Sequence, residues 1–220
     1  MSIKSSIKKL AESVPSEVKI VAVSKFHSTD EIMEAYEAGQ RIFGESRVQE
    51  LVQKNHELPK DIEWHFVGGL QRNKVKQIAP FISLIHSIDS ERLMREVNKQ
   101  AAANNRTIPC LLQIHVAEED TKSGFTPDEC LQFLSKGVLK EYTHVKFVGI
   151  MGMATFTDDE DKVRSEFQEL RQLFDKVKLQ YFANDSDFKE ISMGMTGDYP
   201  TAIEEGSTMI RVGTLIFGER

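Results

Sequence analysis

The sequence predicts an α/β fold, a single (β/α)8 TIM barrel with an extra N-terminal helix. Three observations carry this. Eight short apolar runs alternate with helical segments along the chain. The 220 residues suit one domain, so a single barrel domain over residues 1–220 is expected. Glycine- and hydroxyl-containing loops follow the last two runs, where barrels of this type commonly bind phosphate. An open doubly wound sheet is the alternative, but no GxGxxG or Walker-type loop follows an early strand.

The elements read in order as follows. MSIKSSIKKLAESV is a mixed amphipathic helix. It lacks the apolar core and cleavage site of a signal peptide, so a cytoplasmic location is expected. The strands are expected at Ile20–Ser24, Arg41–Phe43, Trp64–Val67, Leu84–Ser87, Pro109–His115, Val145–Met151, Glu190–Ser192 and Met209–Val212. Ser28 and Glu31 have capping-box spacing ahead of Ile32, Met33 and Tyr36. Between Thr157 and Phe182, Val163, Phe167, Leu170, Phe174 and Val177 recur at spacings of three and four, the strongest helical stripe present. Asp198 can cap a short helix with Pro200 in its first turn and Gly206 past its end.

Composition excludes several classes of function. A formal net charge of −6 argues against nonspecific nucleic-acid binding. The apolar runs fall far short of the roughly 20 residues of a membrane span. Cys110 and Cys130 lack CxxC spacing and read as reduced thiols. The six histidines are scattered without paired-ligand spacing, so no metal site is expected.

Lys25 ends the run KIVAVSKF, and Val21, Val23 and Lys25 share one face of that strand. An amine at an apolar mouth loses hydration, which favours its neutral, nucleophilic form and suits Schiff-base chemistry. A lysine in this position also serves as a snorkelling surface residue. After the seventh strand comes Ser192-Met193-Gly194-Met195-Thr196-Gly197, and after the eighth Gly213-Thr214. Glycines let backbone N–H groups approach an anion, and hydroxyls add donors. Arg211, inside the apolar strand MIRVG, requires an acceptor, either within the barrel or on a bound heteroaromatic ring. His65, His86 and His115 read as polar groups of the pocket or core, and Lys122 as a second amine near the rim or a solvated one.

The segments VAVSKF, FGES, WHFVGGLQRNK, the Lys122-Ser123-Gly124 stretch and SMGMTGDYPTAIEEGSTMIRVGTLIFG occur in this order. Together they resemble the YggS/PROSC family of pyridoxal phosphate homeostasis proteins, over nearly the whole chain. The resemblance implies an alanine-racemase-like barrel that binds pyridoxal 5′-phosphate (PLP) as an internal aldimine on Lys25. It further implies that Ser192, Gly213 and Thr214 hold the phosphate, that Arg211 lies near the pyridine nitrogen, and that His65 lines the pocket side. Two positions depart from the family pattern. Ser46 replaces an asparagine, which puts any role of that amide in doubt, and Gly69 replaces a proline.

The function so implied is a PLP carrier or buffer in vitamin B6 homeostasis, with PLP-dependent apo-enzymes as expected recipients and a monomer as the expected state. An arginine beside the ring nitrogen disfavours its protonation and weakens carbanion chemistry. At this length a second domain of the kind that racemases of this fold carry is not expected. The alternatives are a small PLP-dependent racemase or decarboxylase, and a phosphate-sugar barrel enzyme using Lys25.

Overall fold

A computed structural model describes residues 2–117 and 123–219. The first half runs α1 (Ile3–Ser13), β1 (Lys19–Val23), α2 (Thr29–Glu37), β2 (Ile42–Glu45), α3 (Val48–Glu57), β3 (Glu63–Phe66), a 3-10 turn (Arg72–Lys74), α4 (Val75–Ile78), β4 (Leu84–Ile88) and α5 (Glu91–Ala103). The second half runs β5 (Ile108–His115), α6 (Pro127–Ser135), α7 (Val138–Glu141), β6 (Val145–Met153), α8 (Glu160–Tyr181), β7 (Glu190–Ser192), α9 (Tyr199–Glu204), β8 (Met209–Val212) and α10 (Thr214–Phe217). The eight strands pair in parallel in chain order, and β8 closes on β1 with Val21 opposite Arg211. This is the (β/α)8 barrel the alternation predicts, with α1 as the extra helix.

Strand positions agree with expectation to within one or two residues at an end, and β7 and β8 coincide with it. The capping box at α2 forms in full: Ser28 Oγ accepts from the Glu31 N–H, and the Glu31 carboxylate accepts from the Ser28 N–H. The stripe on α8 buries Val163, Phe167, Leu170, Phe174 and Val177 against the barrel. Burial of each such side chain contributes about 1.5–3 kcal/mol. At Gly149 the β5–β6 register slips, and a Cβ there would lie 1.8 Å from the Glu190 carbonyl oxygen, so glycine is required.

Two apolar regions result. The larger fills the layer between sheet and helices. A smaller one, Val21, Leu84, Leu111, Met151 and Met209, plugs the barrel interior. This plug separates an upper mouth beyond the strand C-termini from a lower mouth at their N-termini. The alternation along β1 shows the division directly, since Lys19 lines the lower mouth, Val21 the plug, and Val23 and Lys25 the upper mouth. Among the described residues no helix is long and apolar enough to cross a membrane. Cys110 and Cys130 are both buried and free, and burial pushes the Cys130 thiol up to about 12.

Candidate functional site

The upper mouth encloses about 890 Å³, within the range of small-molecule sites. Lys25, Arg211, Gly213 and Thr214 all line it, as do Ser46 and Gly69. Lys25 is half-buried, two residues beyond the end of β1.

The backbone around Lys25 is clamped on both sides. On one side, Ser24 N–H donates to the Gly44 carbonyl at 3.0 Å, and Lys54 Nζ donates to the Ser24 carbonyl at 2.8 Å. On the other, Phe26 adopts φ +67°, a strained conformation for a residue with a Cβ. Its N–H donates to Glu50 Oε2 at 2.8 Å, and the Arg47 guanidinium covers its ring at 4.3 Å.

Lys54 is itself buried in an ion pair, its Nζ 2.6 Å from Glu45 Oε1, which also accepts from Ser24 Oγ at 2.8 Å. Burial raises the Glu45 pKa, partly offset by Lys54, and Glu45 Oε2 has no partner. Lys54 was missed by the sequence reading. Its signal is a lysine on the buried face of α3, in line with Leu51.

The loops after β7 and β8 meet at the rim. Thr196 Oγ1 lies 3.1 Å from Thr214 Oγ1. Beside them, a Cβ on Gly213 would approach the Val23 carbonyl oxygen to 3.1 Å, so a side chain there would press the strand end away from β1 by a few tenths of an ångström. Two hydroxyls and an unobstructed backbone suit the oxygens of a phosphate group. Asp198, expected to cap α9, makes no cap bond; its carboxylate turns back to accept from the Met195 N–H at 2.5 Å. Burial raises the Asp198 pKa.

Ser192 and His65 lie elsewhere than the resemblance implies. Ser192 is fully buried and does not line the upper mouth. It ends β7 with its side chain inward, where Oγ accepts from Arg211 Nη1 at 2.6 Å and lies 3.0 Å from His86 Nδ1. The hydroxyl four residues later, Thr196, takes the rim position. His65 lines the lower mouth, two positions before Val67 on the same face of the strand, and Val67 lines the upper one. Burial, aided by the Lys19 cation, depresses its pKa to about 3.

Arg211 is buried between three acceptors: Ser192 O at 2.8 Å, Ser192 Oγ, and Gly152 O at 3.0 Å. Burial lowers its pKa to about 10, which leaves it cationic at neutral pH. Both readings of Arg211 thus coexist, since it has acceptors within the barrel and still faces the cavity. Ser46 and Gly69 border the cavity, and a Cβ on Gly69 would meet nothing within 4 Å. Lys122 lies outside the described residues.

The barrel places the chain in the class of the alanine racemase N-terminal domain, whose family model matches residues 1–220. Within that class, the chain belongs to the family of pyridoxal phosphate homeostasis proteins. It is 38% identical over 203 residues to the pyridoxal phosphate homeostasis protein of Aquifex aeolicus, covering 92% of this chain and 87% of that one. It is 34% identical to PipY of Synechococcus elongatus, whose structure with PLP bound superposes with a TM-score of 0.89, covering 99% of this chain and all of that one. Alanine racemase of Clostridium difficile shares the fold, with a TM-score of 0.78 at 9% identity, and this chain spans 57% of it.

Proposed function

We propose that this chain binds pyridoxal 5′-phosphate in the upper mouth and acts as its carrier or buffer in intracellular vitamin B6 homeostasis. The observation that carries this is one cavity lined by the Lys25 side chain, the Thr196–Thr214 hydroxyl pair and the Arg211 guanidinium. The bound cofactor supplies an aldehyde that condenses reversibly with a primary amine. Lys25 supplies that amine, held in place by the clamps on Ser24 and Phe26. Thr196, Gly213 and Thr214 bind the phosphate, a role passed from Ser192 to Thr196 because the Ser192 hydroxyl is occupied beneath Arg211. Arg211 presents a cation to the ring edge and withholds a proton from it.

The rim of the upper mouth suits loading and release; the recipients proposed for this carrier are PLP-dependent apo-enzymes in the cytoplasm, and its proposed state is a monomer. Absorbance of the purified chain incubated with PLP, followed by borohydride reduction and peptide mass analysis, tests the assignment. The expected result is a visible band and a reduced adduct on Lys25, both lost in Lys25→Ala. A band persisting in that variant would move the attachment elsewhere, Lys122 being the next amine.

A further inference from the structure

Arg211, Ser192, His86 and His65 form a continuous line through the barrel, and each is 5% exposed or less. Arg211 Nη1 is 2.6 Å from Ser192 Oγ, Ser192 Oγ is 3.0 Å from His86 Nδ1, and His86 Nε2 is 3.1 Å from His65 Nδ1. The chemistry of these groups fixes the direction of every hydrogen. A guanidinium only donates, so Ser192 Oγ accepts from it. The hydroxyl hydrogen then has one acceptor within reach, His86 Nδ1. His86 therefore carries its proton on Nε2 and donates to His65 Nδ1. His65 in turn carries its proton on Nε2, on the side of the lower mouth that it lines. The reverse order would make Ser192 Oγ accept twice and strand its own hydrogen in a fully buried place, an unfavourable arrangement.

We infer that Ser192, His86 and His65 are positioning residues of the cofactor site, forming a one-way donor chain that holds Arg211 in the cavity as a cation. This deepens the PLP reading and rests on it for what Arg211 faces. Every chain contact offers Arg211 an acceptor and none offers it a donor, so each favours the protonated guanidinium. Arg211 from β8 faces the His86 ring and Lys19 from β1 faces the His65 ring. Glu190 from β7, ion-paired to Lys19 at 2.5 Å, shares the lower mouth with His65, as do Glu63, Lys146, Asp187 and Lys189. The carboxylates oppose the cations there, and burial is the larger influence that keeps both rings neutral.

Histidine-selective ¹⁵N labelling of the full chain tests this without the cofactor. Long-range ¹H–¹⁵N spectra between about pH 6 and 8 are expected to show His65 and His86 neutral, both protonated on Nε2. A proton on Nδ1 of either ring, or protonation of either within that range, overturns the chain. Ser192→Ala and Ser192→Thr supply the second measurement. The alanine variant is expected to change the His86 Nδ1 resonance and weaken PLP binding about tenfold, the loss of a hydrogen bond to a charged group. The threonine variant restores both. Wild-type affinity in Ser192→Ala overturns the positioning role. Absence of a Lys25 adduct in the wild-type chain would instead overturn the cofactor reading, and the tautomers judge the chain separately.

Discussion

Thr196 Oγ1 and Thr214 Oγ1 lie 3.1 Å apart although 18 residues separate them in the chain. The contact joins the loops after β7 and β8 at the rim of the upper mouth. Two hydroxyls so close share a hydrogen bond with each other when alone, and both can turn to a common anion. Thr196→Val and Thr214→Val are each expected to weaken PLP binding by about tenfold or more, since a hydrogen bond to a charged group contributes about 1.5–3 kcal/mol. Pyridoxal without its phosphate should bind weaker still. Titration of the visible band measures all four affinities, and equal affinity for pyridoxal and PLP would remove the phosphate cradle.

Lys54 links stability to the site. It neutralises Glu45 and holds the carbonyl of Ser24, the residue before Lys25. Lys54→Met would strand a buried carboxylate, which costs about 3–5 kcal/mol in comparable cases. Glu45→Gln combined with Lys54→Met removes the charge as well and should recover part of that loss. Both variants loosen the Ser24 carbonyl, so both should bind PLP more weakly than wild type. Denaturant unfolding of the single and double variants distinguishes the two effects. A single variant within 1 kcal/mol of wild type would mean that water replaces the ammonium.

The depressed histidines give stability a pH dependence with a definite sign. Burial takes His65 from the ordinary 6.5 to about 3, and His86 moves in the same direction. The unfolded chain therefore binds protons that the folded chain refuses. Stability is retained above pH 6.5 and is lost as pH falls below it, by at most about 1.4 kcal/mol per pH unit for each histidine. Glu45 and Asp198, whose pKa values burial raises, act with the opposite sign as pH falls, so the histidine contribution is read from the difference between wild type and a histidine variant. Unfolding midpoints measured from pH 7 to 5 should fall in the wild type and fall less in His65→Gln. A flat wild-type profile would mean that one ring finds a compensating acceptor when charged.

The barrel was legible because apolar runs and helical stripes repeat in register with it. The Ser28–Glu31 box and the α8 stripe are local signals, and the structure reproduces both. The site was legible only where side-chain parity decided the outcome. Val21, Val23 and Lys25 do share a face, and Lys25 does reach the upper mouth. His65 was placed beside the pocket by the family resemblance alone, and parity offered no check, because it separates inside from outside but not the upper mouth from the lower one that His65 lines. Ser192 and Thr196 both carry hydroxyls within one short stretch of sequence, and their four-residue separation places one at the end of β7 under Arg211 and the other in the loop at the rim. Only the position where β7 ends separates them. Asp198 failed as a cap because its nearer neighbour, the Met195 N–H, captured the carboxylate.

Turnover is the remaining property, and the residues around the cavity favour little of it. Arg211 remains protonated among three acceptors, so it offers a bound pyridine a fixed positive charge in place of a transferable proton. A ring left unprotonated is a poor electron sink, which makes Cα–H cleavage of a bound amino acid harder. Two-sided proton exchange also requires an acid or base opposite Lys25. None of the four tyrosines lines the cavity; Tyr199, the nearest in sequence to its loops, begins α9 without reaching it. The rim is wide enough to admit water, which suits exchange of the cofactor better than sequestered chemistry. Single enantiomers of several amino acids, incubated with the PLP-loaded chain in deuterated water, should therefore show little or no Cα exchange by NMR. Exchange with inversion at about 1 s⁻¹ or faster, within the ordinary range of enzymes, would overturn the carrier reading. It would also point to His27 or Asp89, which do line the cavity, as the second base.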